Sequence, residues 1–353
     1  MSPAAGPVTV TVRARTDLGR TRDHNEDAFL VADLTTRTVD LTNGGPHQVG
    51  ERGILFLVAD GMGGAAAGEL ASSMAADLIF RHLIESWNTE TDPAPENFTQ
   101  HLRTAVEQAN ERIHLYSREH PDVRGMGTTA TVAGVLGGVL YLAQVGDSRA
   151  YLVRGGVASQ LTKDQSLMQR LVDAGELTEE EAEHSERRNI ILQALGPDAR
   201  IRVDLTWQRL SRGDTLVICS DGLSGQVKRE EIAELLKSQA QADLDGLCAQ
   251  LIAVANERGG PDNITVVAAR FDGQGLSEPA EVGDASYQHY PTGEPDSDEV
   301  PALQSPPAPP PPAVAPVAEA PPPARRNGSP TVMAGVGIGV LLLLLLLYLV
   351  LRR

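Results

Sequence analysis

The sequence predicts an α+β fold, an antiparallel β-sandwich flanked by α-helices, followed by a linker and a C-terminal transmembrane helix. Three observations support this prediction. Strand-like apolar runs follow one another as in hairpins, several segments have helical periodicity, and the composition changes abruptly after residue 272. Consecutive strands without strict strand–helix alternation favour antiparallel sheets covered by helices over a doubly wound parallel sheet.

Short apolar runs rich in β-branched residues are typical of strands. These runs are VTVTVRART, DAFLVAD, GILFLVAD, TATVAGVL, VLYLAQV, RAYLVRG, DTLVICS and NITVVAARF. Apolar residues at helical spacing predict long helices over 64–87 and 96–119 and shorter helices near 230–238 and 244–257.

The chain divides by composition into three parts. Residues 1–272 read as the folded domain, with a helical insertion at about 161–200. Residues 273–330 are first acidic and then rich in proline, which predicts a disordered linker because such a segment buries too little apolar surface. Residues 331–351 are uncharged and apolar, and a helix of this length spans a bilayer core of about 30 Å, so we expect a transmembrane helix.

Charge and cysteine content exclude several classes of function. The chain of 353 residues has a net charge of −17, and binding a nucleic-acid backbone needs a basic face. Its two cysteines, Cys219 and Cys248, show no CxxC spacing, which argues against a disulfide framework and a zinc–cysteine site. Neither begins a C-x5-R motif, since Gly225 and Val254 stand at the arginine positions, and the chain has no P-loop.

Acidic residues stand where predicted strands begin or end. In antiparallel sheets the end of one strand shares an edge with the start of its neighbour, so these carboxylates can converge on one rim. A cluster of like charges is unstable alone, and divalent cations remove the repulsion. Oxygen ligands without clustered His or Cys point to Mg²⁺ or Mn²⁺. The residues concerned are Glu26, Asp27, Asp60, Asp147, Asp221 and Asp262.

The glycines beside these acids allow two interpretations. An Asp-Gly pair is by itself most often a turn. Here Asp60-Gly61 and Asp221-Gly222 each follow an apolar strand, and Gly146-Asp147 repeats the arrangement. The repetition, together with the other carboxylates, favours a site over isolated turns.

An ordered set of short motifs over residues 8–272 resembles the PP2C (PPM) family of metal-dependent serine/threonine protein phosphatases, in its bacterial form. The motifs are Gly19-Arg20-Thr21-Arg22 with Asn25-Glu26-Asp27, Asp60-Gly61-Met62-Gly63-Gly64, Gly125-Met126-Gly127-Thr128-Thr129, Gly146-Asp147-Ser148-Arg149, Ser220-Asp221-Gly222 and Asp262-Asn263. The resemblance implies a central β-sandwich with a two-metal site at one end, and it identifies the insertion at 161–200 as a flap beside the cleft.

The resemblance also implies a role for each residue. Asp60 bridges both metals, and the carboxylate of Glu26 and the carbonyl of Gly61 complete the second metal's ligands. Asp221 and Asp262 hold the first metal. A third, weaker metal has Asp147 and Asp221 as ligands.

The implied chemistry is attack of an activated water on a phosphoserine or phosphothreonine ester. Asp27 would orient that water, and Arg22 would hold the phosphate with its planar fork of donors. Without the motif, Arg22 would read as a surface arginine in an Arg-rich stretch. Many eukaryotic members have a histidine, proposed to protonate the leaving group, where this chain has Met62. Methionine cannot donate that proton. His24 is a candidate for this role. The alternative is that His24 is simply an exposed histidine without a function.

Two other functions remain to be weighed. A two-metal nuclease needs the same carboxylates, but the acidic surface and the flap count against it. A pseudophosphatase that only binds phosphoproteins is the stronger competitor, and it is disfavoured because every metal-ligand position carries the family's residue.

Partners and location follow from these expectations. Substrates would be proteins phosphorylated on Ser or Thr, with a membrane-anchored Ser/Thr kinase as a partner by analogy, and we expect a monomer. Arginines flank both ends of 331–351 and leave its orientation open. The N-terminal residues lack the basic and the continuous apolar region that predict a signal peptide, and we expect intracellular substrates. We therefore expect a single-pass protein of the cell membrane with a cytoplasmic catalytic domain.

Overall fold

The protein is described by a computed structural model that covers residues 6–238 and 243–291. Its strands are β1 (Thr9–Asp17), β2 (Asp27–Asp33), β3 (Thr38–Val39), β4 (His47–Gln48), β5 (Ile54–Met62), β6 (Gly127–Thr128), β7 (Ala130–Leu136), β8 (Val139–Val145), β9 (Arg149–Arg154), β10 (Val157–Gln160), β11 (Asp204–Arg209), β12 (Thr215–Cys219) and β13 (Ile264–Asp272). Its helices are α1 (Ala65–Glu85), α2 (Pro95–Glu119), α3 (Leu167–Asp173), α4 (Glu179–Glu183), α5 (Asp221–Ser224), α6 (Arg229–Ser238), α7 (Leu244–Glu257) and α8 (Pro279–Val282), with 3-10 turns at Trp87–Thr89 and Pro121–Val123.

The strands form two antiparallel sheets, as the sequence predicts. The first sheet has the order β10-β9-β12-β13-β1-β4, and the second has the order β11-β8-β7-β5-β2-β3, with β6 pairing with the end of β5. The predicted strands and helices are confirmed. The short strands β3, β4, β6 and β10 and the edge strand β11 are additional, since their sequences are too short or too polar to stand out.

Three apolar layers hold the sandwich together. Val12, Phe56, Leu142 and Ile218 belong to a buried cluster contributed by strands of both sheets. The helices α1 and α2 cover the other face of the second sheet, where Trp87 and residues around it are fully buried. A third cluster, which includes Cys219 and Cys248, joins α6 and α7 to the outer face of the first sheet. The layer order is therefore helix, sheet, sheet, helix, which is the predicted α+β architecture.

The antiparallel pairing brings the predicted carboxylates to one end of the molecule. Strand β2 starts where β5 reaches Asp60, and Asp27 and Asp60 are direct partners in the register. In the same sheet β7 starts and β8 ends at this rim, while in the first sheet β12 ends and β13 starts there.

The folded unit continues beyond the last strand. Its described residues run to Pro291 and so include residues 273–291, which the sequence predicts as part of the linker. Backbone hydrogen bonds join Gln288 to Trp207 and Tyr290 to Leu205, so this segment pairs with the edge strand β11. The remaining linker and the predicted transmembrane helix at 331–351 lie outside the described residues. Between residues 6 and 291, as far as they are described, no helix is long and apolar enough to cross a membrane.

Candidate functional site

The carboxyl group of Asp60 lies at the centre of the site, where β5 leaves the sheet. The backbone of Asp60 is held on both sides, because its N–H donates to Oγ1 of Thr129 at 2.9 Å and its carbonyl accepts from Oγ1 of Thr128 at 2.9 Å. The next residue, Gly61, donates its N–H to the carbonyl of Glu26 at 3.1 Å. The strand end and the acidic loop before β2 are therefore tied directly together.

Asp27 faces Asp60 from the neighbouring strand and is held by hydroxyl groups from the other sheet. Ser220 donates its hydroxyl to Oδ2 of Asp27 at 2.7 Å, and Thr265 also hydrogen-bonds this carboxylate. Burial is the largest influence on its ionisation and raises the pKa of Asp27 to about 7, although both hydroxyl bonds lower it. The result is a buried carboxyl group that can hold or release a proton near neutral pH.

Asn263 fixes the loop that carries Arg22 and Glu26. Its side-chain oxygen accepts the N–H of Glu26 at 2.8 Å, and its side-chain nitrogen donates to the carbonyls of Leu18 at 3.1 Å and His24 at 2.9 Å. Asn263 is almost fully buried, so these three bonds are shielded from water. The loop is thereby anchored to the start of β13, directly beside Asp262.

Arg22 forms ion pairs with two of the predicted metal ligands. Its Nη2 lies 2.7 Å from Oδ2 of Asp262, and its Nη1 lies 3.9 Å from Oε1 of Glu26. The Arg22 side chain is 46% exposed, so the guanidinium stands at the mouth of the carboxylate cluster rather than inside it.

Burial and mutual repulsion make the carboxyl cluster costly to ionise. Burial raises the pKa of Asp60 well above its ordinary value, and repulsion from Asp27 and Asp221 adds to the shift. Burial also raises the pKa of Asp147, to about 8, with Asp221 as the next cause. The pKa of Asp221 is raised by burial and by Asp262, while a hydrogen bond with the Asp60 carboxyl lowers it. These shifts follow from placing like charges together away from water.

Three carboxyl oxygens in the cluster are buried and have no hydrogen-bond partner. They are Oδ1 of Asp27, Oδ1 of Asp147 and Oδ1 of Asp221. Buried polar atoms are normally paired, so an unpaired set in one place indicates a missing partner. A hard divalent cation fits this donor set, since the cluster offers oxygen atoms and negative charge.

The ligands are not yet arranged around one ion. Within the described part of the chain, no group of three or more His, Cys, Asp or Glu side chains already has the geometry to hold a metal. The pairing of Arg22 with Asp262 and Glu26 accounts for part of this, because both carboxylates face a guanidinium. The unpaired oxygens of Asp27, Asp147 and Asp221 nevertheless offer a cation buried acceptors in one place.

The structure brings together the residues that the sequence predicts for the site. Glu26, Asp27, Asp60, Gly61, Asp221 and Asp262 are linked by the hydrogen bonds and repulsions described above, and Asp147 joins them through Asp221. His24 is exposed, and only its backbone carbonyl contacts Asn263. The sequence predicts no role for five residues that hold the site together, Thr128, Thr129, Ser220, Asn263 and Thr265. Their one signal is their place inside or next to the short motifs.

Comparisons with known proteins agree with this geometry. The family model described as protein phosphatase 2C matches residues 41–261. Serine/threonine phosphatase stp of Listeria monocytogenes is 38% identical over 259 residues, which cover 73% of this chain and 94% of that protein. The Streptococcus agalactiae serine/threonine phosphatase has a solved structure that matches with a TM-score of 0.64 and 33% identity, over 74% of this chain and 98% of that one. A structure of the catalytic domain of the phosphatase PstP, in complex with two manganese ions, matches with a TM-score of 0.60 and 35% identity, over 75% of this chain and 99% of that one.

Proposed function

Because the chain belongs to the protein phosphatase 2C family and is a serine/threonine protein phosphatase, we propose that it hydrolyses phosphoserine and phosphothreonine in proteins with two divalent cations, Mn²⁺ or Mg²⁺. The observation that carries the proposal is the set of unpaired, buried carboxyl oxygens at one end of both sheets. The manganese complex of the PstP catalytic domain supports the same metal class.

Each cation has its own protein ligands in this proposal. Asp60 would contribute to both cations, Glu26 and the carbonyl of Gly61 to the second, and Asp221 and Asp262 to the first. Asp147, with Asp221, would hold a third and weaker cation. When bound, the cations supply a nucleophile at neutral pH and neutralise charge on the phosphate oxygens.

Asp27 has a separate role in the proposal, because its environment differs from that of the ligands. Its Oδ2 accepts a hydrogen bond from Ser220, while Oδ1 is buried and has no partner. The raised pKa, about 7, suits a group that accepts a proton near neutral pH. We assign Asp27 to orienting the attacking water.

Arg22 is the group proposed to hold the substrate phosphate. Its position at the mouth of the cluster, with half of the side chain in solvent, lets it turn from Asp262 to an incoming phosphate. Arginine suits this role because its planar fork donates two parallel hydrogen bonds. His24 is exposed and no hydrogen bond joins its ring to the cluster, so we do not assign it the role of leaving-group acid.

The cellular setting belongs to the same proposal. The apolar stretch at 331–351 would anchor the enzyme in the cell membrane, with the catalytic domain in the cytoplasm, where it would reverse Ser/Thr kinase signalling and face a membrane-anchored kinase. Fractionation of cells that express the full chain tests the anchor. Recovery of the intact protein in the soluble fraction would contradict it.

The activity itself is tested by phosphate release from phosphothreonine and phosphoserine peptides. We expect activity that is lost in EDTA and restored by added Mn²⁺. Full activity in EDTA would refute the two-cation mechanism. Metal binding without any hydrolysis would favour a pseudophosphatase.

A further inference from the structure

A glycine near the start of α1 contacts the ligands proposed for the second cation. Gly68 is the fourth residue of the helix and is buried. Glycine is the poorest helix former after proline. Three alanines, Ala65 to Ala67, precede it in the same helix, so the glycine interrupts a sequence of strong helix formers.

The space around Gly68 explains why a side chain is missing there. A β-carbon on Gly68 would overlap Oε2 of Glu26, and it would stand 2.8 Å from Cδ of Glu26 and 3.0 Å from the carbonyl carbon of Gly61. Contacts this short are not tolerated between carbon atoms in packed proteins. These three atoms belong to Glu26 and Gly61, and both residues are proposed ligands of the second cation.

The contact is reciprocal between the helix and the strand end. A β-carbon on Gly61 would overlap the carbonyl oxygen of Gly68 and would stand 2.5 Å from the carbonyl oxygen of Glu26. The absence of both side chains lets α1 approach the end of β5 closely enough to touch Glu26. Close approach of two backbones is a recognised use of glycine.

Glu26 has little freedom to avoid a new methyl group except by moving its carboxylate. Its N–H is bound by Asn263 and its carbonyl by the N–H of Gly61, so the backbone is held on both sides. The carboxylate is the part that can rotate, and it is also the part that would bind the cation. A methyl group at residue 68 is thus expected to displace the ligand without unfolding the helix.

We propose that Gly68 is a positioning residue, which sets the Glu26 carboxylate and the Gly61 carbonyl for the second cation. The inference rests on the proposed two-cation function and deepens it. It predicts that one cation site depends on residue 68, whereas the site formed by Asp221 and Asp262 does not.

The test is calorimetric titration of the metal-stripped protein with Mn²⁺, for the natural sequence, Gly68→Ala and Ser73→Ala. We expect two strong sites in the natural protein, besides the weaker third one, and in Gly68→Ala a loss of about 10- to 100-fold in affinity at one of the strong sites. Ser73 is exposed on the same helix, so Ser73→Ala adds helix propensity without approaching Glu26 and should bind as the natural protein does.

A second variant shows whether the effect passes through Glu26. In a Glu26→Ala background, Gly68→Ala should cause little further loss of Mn²⁺ affinity, because the displaced carboxylate is already gone. The same loss in both backgrounds would overturn the inference, as would natural affinity at both sites in Gly68→Ala. Failure of the natural protein to bind Mn²⁺ would instead refute the proposed function. Metal-free Gly68→Ala should still unfold in one cooperative transition, which would show that the fold is kept and that the loss of affinity is local.

Discussion

The guanidinium of Arg22 forms an ion pair with Asp262, with Nη2 2.7 Å from Oδ2. The residue proposed to hold phosphate is therefore paired with a residue proposed to hold a cation. The two partners are separated by 240 positions in sequence, and the loop of Arg22 is anchored to Asn263, the neighbour of Asp262. A phosphate held by the two Nη groups of the fork would compete with Asp262 for Nη2, so we expect substrate binding to loosen this pair.

Replacing Arg22 by alanine should separate substrate binding from metal binding. We expect KM for a phosphothreonine peptide to rise about 10- to 100-fold, the effect of losing a hydrogen bond to a charged group. Mn²⁺ affinity should stay the same or increase, because Asp262 loses a competing cation. Arg22→Lys keeps the charge but loses the planar fork, so its KM should lie between those of the natural protein and Arg22→Ala. A large loss of Mn²⁺ affinity in Arg22→Ala would show that the arginine is structural.

The metal-free protein should lose stability as pH rises from about 4 to 8. The pKa is raised to about 7 for Asp27 and about 8 for Asp147, above the ordinary value of 3.8 for both groups. In this interval the folded state binds more protons than the unfolded state, so the free energy of unfolding falls with increasing pH. Mn²⁺ should stabilise the protein most at the upper end, since ligands must be deprotonated to bind it.

Thermal unfolding between pH 5 and 8 measures this dependence. Asp147→Asn removes one of the titrating groups and keeps the shape of the side chain, so its Tm should fall less steeply with pH. An equally steep fall in Asp147→Asn would mean that other groups cause the dependence.

The position of a truncation should decide the stability of the catalytic domain. Residues 276–291 contribute two buried side chains, Leu276 and Ala285, and the carbonyl of Gly283 accepts from Nη1 of Arg154 at 2.7 Å. Ending the chain after residue 275 removes these contacts. The lost burial of the leucine and the lost charged hydrogen bond should lower the free energy of unfolding by about 3 kcal/mol. We expect Tm to fall by roughly 5–10 °C.

Ending the chain after residue 291 is the matched control. That protein keeps the bonds of Gln288 and Tyr290 to β11 and should unfold at the temperature of the full-length protein. Equal Tm values for both truncations would show that residues 276–291 do not stabilise the domain.

Much of the fold and many of the site residues can be predicted from the sequence, because local patterns determine them. An apolar run that ends in Asp-Gly, as at Asp60, predicts a strand and places a carboxylate at the edge of the sheet where that strand ends. The edge strand β11 is not predicted from the sequence because DLTWQR has only two apolar residues, Leu205 and Trp207. Residues 284–290 show no periodicity, and their place beside β11 depends on tertiary hydrogen bonds.

The finer arrangement of the site required the structure. The ion pair of Arg22 with Asp262 joins distant parts of the chain, and no local pattern indicates it. Gly68 resembles any glycine in a helix until the carboxylate of Glu26 is placed against it. Ser220 stands inside a predicted motif, but its bond to Asp27 depends on how the two sheets pack.

The central claim is that the buried carboxyl cluster is a metal-dependent catalytic site, and Asp60→Asn tests it most directly. Asparagine keeps the shape of the side chain and removes a charge that burial and the nearby carboxylates destabilise, so the metal-free variant should have a higher Tm. Phosphate release from a phosphothreonine peptide in Mn²⁺ should fall at least about 100-fold, since the residue is the proposed ligand of both cations. A variant that hydrolyses the peptide within a few-fold of the natural rate would contradict the account.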